Sequence, residues 1–222
     1  GWRTLLQPWR ALTPTMLLLA FSMLFTSYLV RAILLYSYFY SDIRGAYVTC
    51  VKLVLQHNFF NNIFPMRSGE LSFPILLKRY FNIPFSRSVS TLVWFRVLDL
   101  HTILSFGLFL FFQPDVRNPF LVLMIAFWLF IPWLIYHFNH RLRTFLMRYN
   151  NRRIVALVDE TLSALPASSP AFWISWGWTF ANWLIKLLVL TVVLLLLIEV
   201  PLPAAWLGVI AGDLTSVLPV HG

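Results

Sequence analysis

The sequence predicts an all-α, polytopic helical membrane protein with about six hydrophobic segments, at least one of them a re-entrant helical hairpin. Three observations predict it. Of the 222 residues, 59% are hydrophobic and 18% aromatic, while only 11% are charged; ordinary soluble domains carry about 25% charged residues. Mean hydropathy is +0.76, more apolar side chain than one soluble core can hide. Finally, runs long enough to cross a bilayer, which takes about 20 apolar residues, recur along the chain, interrupted by Pro, Gly and Asn. Broken helices of that kind are tolerated at membrane depth only where protein or water satisfies the freed backbone groups.

Taken in order, residues 1–13 contain Trp2, Arg3, Trp9 and Arg10, the mixture expected of a short interfacial segment. Residues 16–40 form a first long apolar helix, with Arg31 late in it. A turn at residues 41–45 leads to a more polar helix over 46–64, which ends in Gln56-His57-Asn58-Phe59-Phe60-Asn61-Asn62. Residues 65–88 are too polar to cross and too apolar to leave, so 71–81 reads as a short helix tucked partly into the membrane. A third long helix covers 89–112, and 120–138 crosses again after a loop marked by Pro114 and Pro119. Residues 140–153 hold five arginines. An amphipathic stretch then runs to Leu165, and Pro166 to Pro170 form a linker. Residues 172–198 are long enough to span with tilt and carry Lys186 near the middle. Pro201 and Pro203 open a last apolar segment, broken at Gly208 and Gly212.

The net charge of +9 fits short basic loops facing the cytoplasm. With the N-terminus cytoplasmic, eleven Lys and Arg fall in inside loops, and only Arg44 and Arg117 fall outside. The N-terminus and the Arg141 to Arg153 loop are then expected on one side. Nucleic-acid binding needs a soluble basic face, and no soluble domain is expected to carry one. A single cysteine, Cys50, excludes an internal disulfide and a cysteine-cluster metal site. His137 and His140 have ligand-like spacing but no neighbouring carboxylate or cysteine, a poor metal site. No nucleophile triad, phosphate-binding glycine loop or His-Glu-x-x-His motif occurs. No cofactor and no catalytic residue is therefore expected. Trp173, Trp176, Trp178 and Trp183 are mostly explained by an interfacial aromatic belt.

Charges set among apolar residues carry the most information. Arg67 and Glu70 sit in Pro65-Met66-Arg67-Ser68-Gly69-Glu70, and Arg96 and Asp99 follow 26 and 29 residues after Glu70. Arg96 and Asp99 stand at i and i+3, close enough to pair on one helix face; His101 points elsewhere. Charges in hydrocarbon cost at least about 2.5–3.5 kcal/mol each and so have partners, and often a function. One reading is mutual neutralisation. The other is that an arginine holds an anionic headgroup, its planar fork donating two parallel hydrogen bonds to a phosphate, while Glu70 and Asp99 orient it. Lys186 needs a partner such as Asp213 or Asp99. Asn58, Asn61 and Asn62 more often cap and glue helices than bind substrate.

At these residues the chain resembles a known family. Leu55-Gln56-His57-Asn58, Asn61-Asn62, Pro65-x-Arg67-x-Gly69-Glu70 with Pro74, and Arg96-x-x-Asp99 resemble the flippase-like transmembrane domain of lysylphosphatidylglycerol synthases and their stand-alone relatives. Tyr28-Leu29-Val30-Arg31-Ala32 is similar to the family's first-helix arginine pattern. One departure is Phe95, which stands where an acidic residue commonly precedes the arginine. The resemblance implies a multi-pass protein of the bacterial cytoplasmic membrane that moves or presents lipids, and members usually continue past Leu218-Pro219, so a fragment is expected. The substrate-binding set it implies is Arg67, Glu70, Arg96, Asp99, Lys186, Asn62 and Arg31. The partners it implies are membrane lipids with anionic headgroups and a lipid synthase. Two alternatives stand beside it. An intramembrane acid–base enzyme would use Glu70, Asp99 or His101, but lacks a nucleophile or metal beside the carboxylate. A scaffold for an envelope-lipid synthase would not need buried Arg and Glu at this spacing.

Overall fold

The computed structural model describes residues 12–112, 118–146, 155–156, 162, 164–166 and 168–217. Among them no strand occurs. The helices are α1 (Pro14–Tyr38), α2 (Tyr47–Ile63), a 3-10 turn (Pro65–Leu71), α3 (Ser72–Phe81), α4 (Phe85–Phe112), α5 (Pro119–His137), α6 (Asn139–Leu146), α7 (Ser169–Leu197) and α8 (Leu202–Val217). Four of these, α1, α4, α5 and α7, are long and apolar enough to cross a membrane, and α8 adds a shorter apolar helix. The polytopic helical class expected from composition is therefore observed. The expected interfacial segment lies almost wholly outside the described residues.

Local chemistry sets where the long helices start. Thr13, Asn118 and Ser168 each cap a helix by accepting the backbone N–H three residues on, at 3.2, 3.3 and 3.4 Å. Each is followed by a proline in the first turn, where the missing N–H costs nothing. Inside the helices, hydroxyls turn back on their own backbone: Ser22 to the Leu18 carbonyl at 2.7 Å, Thr26 to Ser22 at 2.8 Å, Thr179 to Ser175 at 2.9 Å. That satisfies a polar group without a partner helix, which hydrocarbon surroundings demand. The outer surface is apolar, with Leu18, Phe21, Phe120 and Leu123 all exposed.

Residues 47–81 fold as a helical hairpin. α3 runs back along α2: His57 Nδ1 lies 2.9 Å from Ser72 Oγ, and Tyr80 donates its hydroxyl to Gln56 Oε1 at 2.9 Å. Gly69 makes the tip possible. A Cβ there would sit 2.5 Å from the Phe60 carbonyl group and 2.6 Å from the Asn61 nitrogen, so only glycine lets the 3-10 turn press on the end of α2. Asn82, left-handed at φ 56°, sends its N–H to the Lys78 carbonyl and ends α3. Pro84 follows, and α4 begins at Phe85, four residues earlier than expected. Asp99 lies halfway along α4.

Both ends of the hairpin return to one end of the bundle. There Arg87 forks onto Asp42, both bonds 3.0 Å. Tyr38 donates to the Ala164 carbonyl, and Tyr136 stacks on Phe172 at 4.9 Å. Pro14 and Pro119 lie at the other end. Pro14 and the start of α6 are thus at opposite ends of the bundle; residues 1–11 and 147–153, which carry most of the expectation that the N-terminus and the Arg141 to Arg153 loop share a side, lie outside the described residues. That expectation needed residues 46–64 to cross, and they fold back.

His101 has a structural explanation. Pro132 lies inside α5 and has no N–H, so the Trp128 carbonyl four residues earlier loses its helical donor. His101 Nε2 fills the gap at 2.9 Å, with its ring stacked on Trp128 at 5.2 Å. This role argues against His101 as an acid–base group.

Three outcomes follow. His101→Phe should cost about 1–3 kcal/mol, the penalty for an unpaired buried acceptor, and Pro132→Ala should recover most of it by restoring the helical donor. Additive losses in a double-mutant cycle, read by thermal unfolding in detergent, would contradict the account. Cys50 is buried, so single surface cysteines can report topology: positions 44 and 141 should label from one side and position 13 from the other. Labelling of 44 and 141 from opposite sides would overturn the hairpin path. The Arg87 fork holds the Asp42 carboxyl below its usual range. Its stabilisation is present above about pH 4, the unfolded value, and is lost as pH falls further. Asp42→Asn should therefore cost at most about 1 kcal/mol at pH 7, the ceiling for an exposed pair, and nothing in strong acid.

Candidate functional site

Asp99 organises the site. Its side chain is 1% exposed and accepts four hydrogen bonds. Arg31 of α1 forks onto it, Nη1 to Oδ1 at 2.8 Å and Nη2 to Oδ2 at 2.9 Å. Arg96, one turn earlier on α4, gives Nη1 to Oδ2 at 3.0 Å. Trp183 of α7 gives Nε1 to Oδ1 at 2.8 Å. A carboxylate offers about four acceptor positions, so Asp99 is saturated, and three helices are tied through one side chain.

Arg96 reaches from Asp99 to the tip of the hairpin. Its Nε donates to Glu70 Oε2 at 3.3 Å, and its Nη2 donates to Glu70 Oε1. Behind Glu70 stands a polar rank on α2. The Asn61 amide nitrogen lies 3.5 Å from Glu70 Oε1 and 3.1 Å from His57 Nε2. An amide nitrogen can only donate, so His57 Nε2 accepts and its Nδ1–H donates to Ser72. This is the neutral tautomer, and the 3.8 Å approach of His57 Nε2 to Glu70 is then a contact of a neutral ring. Phe95, the departure from the family pattern, presents its ring to the Arg31 guanidinium at 5.2 Å, a cation–π contact in place of a third carboxylate.

Lys186 completes the set. Its Nζ donates to Asp213 Oδ1 at 2.7 Å and sits 4.6 Å above the Trp183 ring. Of its two expected partners, Asp213 is the one observed.

These groups surround a cavity of about 390 Å³. Arg31, Asn62, Glu70, Arg96, Asp99 and Lys186 all line it. The seventh predicted residue, Arg67, is on the 3-10 turn beside them, but its side chain lies outside the described residues. Asp213 is not in the lining and acts through Lys186. Sequence reasoning missed Ser27, Asn182 and Trp183 as lining residues. Trp183 is corrected from belt residue to buried donor, 5% exposed. The signal for both α7 residues was Asn182-Trp183 one turn before Lys186, in a helix otherwise almost wholly apolar.

The chemistry is donor-rich. Arg31 uses two of its five N–H groups and Arg96 uses three among the described residues, while Asp99 can accept nothing more. Such a site suits an acceptor-rich anion held by arginine forks.

The fold and this cavity define a multi-pass helical membrane protein with a charged pocket at mid-helix depth. The chain belongs to the lysylphosphatidylglycerol synthase TM region family, whose model matches residues 1–220. No curated protein and no solved structure matches it significantly.

Asp99→Asn should cost about 3–5 kcal/mol, because it strands two arginines in a buried setting. Glu70→Gln should cost clearly less, since Arg96 keeps Asp99 and Glu70 is 22% exposed. Equal melting of the two variants in detergent would contradict Asp99 as the organising group.

Proposed function

We propose that the protein translocates or otherwise handles phospholipids of the bacterial cytoplasmic membrane, with Arg31 and Arg96 holding the anionic phosphate. The observation that carries this reading is the donor surplus: two guanidinium groups line one cavity with N–H groups to spare, held in place by a carboxylate that is itself saturated. Membership of a family named for lipid synthases supports lipid as the substrate. In this reading the lipid is moved without being chemically changed. The saturation of Asp99 and the neutral role of His57 support that, because neither is placed as a proton-transfer group.

The hairpin of residues 47–81 is read as re-entrant, entering and leaving on one face. Recounting basic residues along that path, Arg44, Lys78, Arg79, Arg87, Arg141 and Arg143 belong to one end. Among the described residues no Lys or Arg belongs to the other. That asymmetry supports a cytoplasmic hairpin mouth and a Pro14 end outside. This revises the cytoplasmic N-terminal flank inferred from the sequence.

The test is lipid transport in liposomes with fluorescent anionic phospholipid. Arg31→Lys and Arg96→Lys keep the charge but lose the planar fork, and transport per folded protein should fall about tenfold, the value of roughly one lost hydrogen bond to the phosphate. Arg67→Lys should act in the same direction. Wild-type rates in all three variants and in Glu70→Gln would make the cavity structural and end this reading.

A further inference from the structure

The cavity uses the inner side of the hairpin. The outer side carries a different pattern. On α2 an exposed stripe runs through Val48, Lys52, Leu55, Phe59 and Ile63, opposite the buried Leu53, Val54 and His57. Along α3 a second runs through Leu71, Ile75, Lys78 and Arg79, opposite the buried Phe73, Leu76 and Leu77. Lys52 links the two: its Nζ stands 5.4 Å over the ring of Tyr80, the residue after Arg79, and Gln56 fixes that ring through its hydroxyl. Both stripes grade the same way. Cations lie towards the mouth, and Phe59, Ile63, Leu71 and Ile75, each more than half exposed, lie towards the tip.

The dimensions are those of one leaflet. From Lys52 to Ile63 the helix rises about 16 Å, against about 15 Å for half of a bilayer's hydrocarbon core. The charge is uncompensated. Asp42 at the mouth is taken by Arg87, and Glu70 at the tip by Arg96. Among the described residues no carboxylate pairs with Lys52, Lys78 or Arg79. The positive-inside effect asks for basic residues near the mouth, which Arg44 and Arg87 also supply. It does not ask for three of them gathered on one face, nor for one standing inside an apolar stripe.

We infer that the outer face of the hairpin is a docking surface for an anionic phospholipid of the cytoplasmic leaflet, separate from the central cavity. Lys52, Lys78 and Arg79 hold the phosphate, and an acyl chain lies along the apolar stripes towards the tip. The inference rests on the re-entrant path proposed above and on no residue of the cavity. Its partner follows from charge and shape together: three cations need an anion, and an apolar strip one leaflet deep needs a hydrocarbon chain attached to it. Two of the cations are lysines, point charges on flexible stems, so the surface reads net charge rather than headgroup identity. A lipid seated there stays in its leaflet and braces the hairpin, which α3 otherwise ties to the bundle through α2 and α4.

The test is native mass spectrometry of the purified chain, which counts lipids as they add, with phosphatidylglycerol and phosphatidylcholine of identical acyl chains. Lys52→Gln, Lys78→Gln and Arg79→Gln all replace exposed side chains, so the triple variant should keep its unfolding temperature in detergent. It should lose one tightly bound phosphatidylglycerol, its affinity falling about fivefold for each cation removed, while Arg96→Lys leaves that lipid in place. Phosphatidylcholine should not fill the site. An unchanged count in the triple variant would overturn the proposal, and so would phosphatidylcholine binding as tightly as phosphatidylglycerol. Glycerol 3-phosphate competing as well as the lipid would make this a phosphate site and not a lipid surface. A dimer abolished by the same three substitutions and indifferent to lipid would assign the face to a second copy instead. The two readings fail separately: an empty cavity with this lipid still bound defeats the lipid-handling reading alone, and the reverse pattern defeats the docking surface alone.

Discussion

Everything at the centre of this protein depends on one buried carboxylate accepting four hydrogen bonds. Asp99 has almost no contact with solvent, and an isolated charge there would be prohibitively expensive. Arg31, Arg96 and Trp183 offset that cost, and in doing so they fix how α1, α4 and α7 sit against one another. The same bonds leave the guanidinium groups oriented and only partly used. The stability of the bundle and the readiness of the cavity for an anion thus come from the same atoms. Charge pairs of this kind gain little over a well-packed apolar core, so their retention favours a role beyond packing.

The hairpin supplies the other half of the arrangement. A straight span over residues 46–64 would carry Glu70 away from Arg96. Folding back at Gly69 instead sets Glu70, Asn61 and His57 into the middle of the bundle, on the same cavity as the α1 and α4 arginines. Buried irregular backbone is tolerated here because it lines a cavity and its neighbours are paired. Arg87 on Asp42 closes the mouth of the hairpin, and Asn82 with Pro84 hands the chain to α4.

Much of this was legible in the residues. Arg96 and Asp99 at i and i+3 announced their pairing, and Lys186 in an apolar helix announced its need for Asp213. The spacing of Glu70 from Arg96 said nothing by itself. Only the family resemblance connected Arg31 and Asn62 to them, because contacts between residues 68 positions apart leave no local pattern. The path of the hairpin was half visible. Pro65, Gly69 and Pro74 marked a break, but a 17-residue helix that turns back has the same composition as one that crosses. Trp183 was hidden by its own kind, one tryptophan among several suited to an interface. Asn182 was hidden because a lone asparagine in a long apolar helix usually bonds its neighbours. The pairing of His101 with the carbonyl freed by Pro132 could be read only once α4 and α5 were seen side by side.

The central claim is that Asp99 holds Arg31 and Arg96 ready for a lipid phosphate. The most direct measurement is an experimental structure of the protein in nanodiscs containing an anionic phospholipid, at a resolution that shows headgroups. The account predicts phosphate density in the cavity within hydrogen-bonding distance of both guanidinium groups, with the four bonds to Asp99 intact. A cavity holding only water, with lipid phosphates confined to the outer surface, would contradict it.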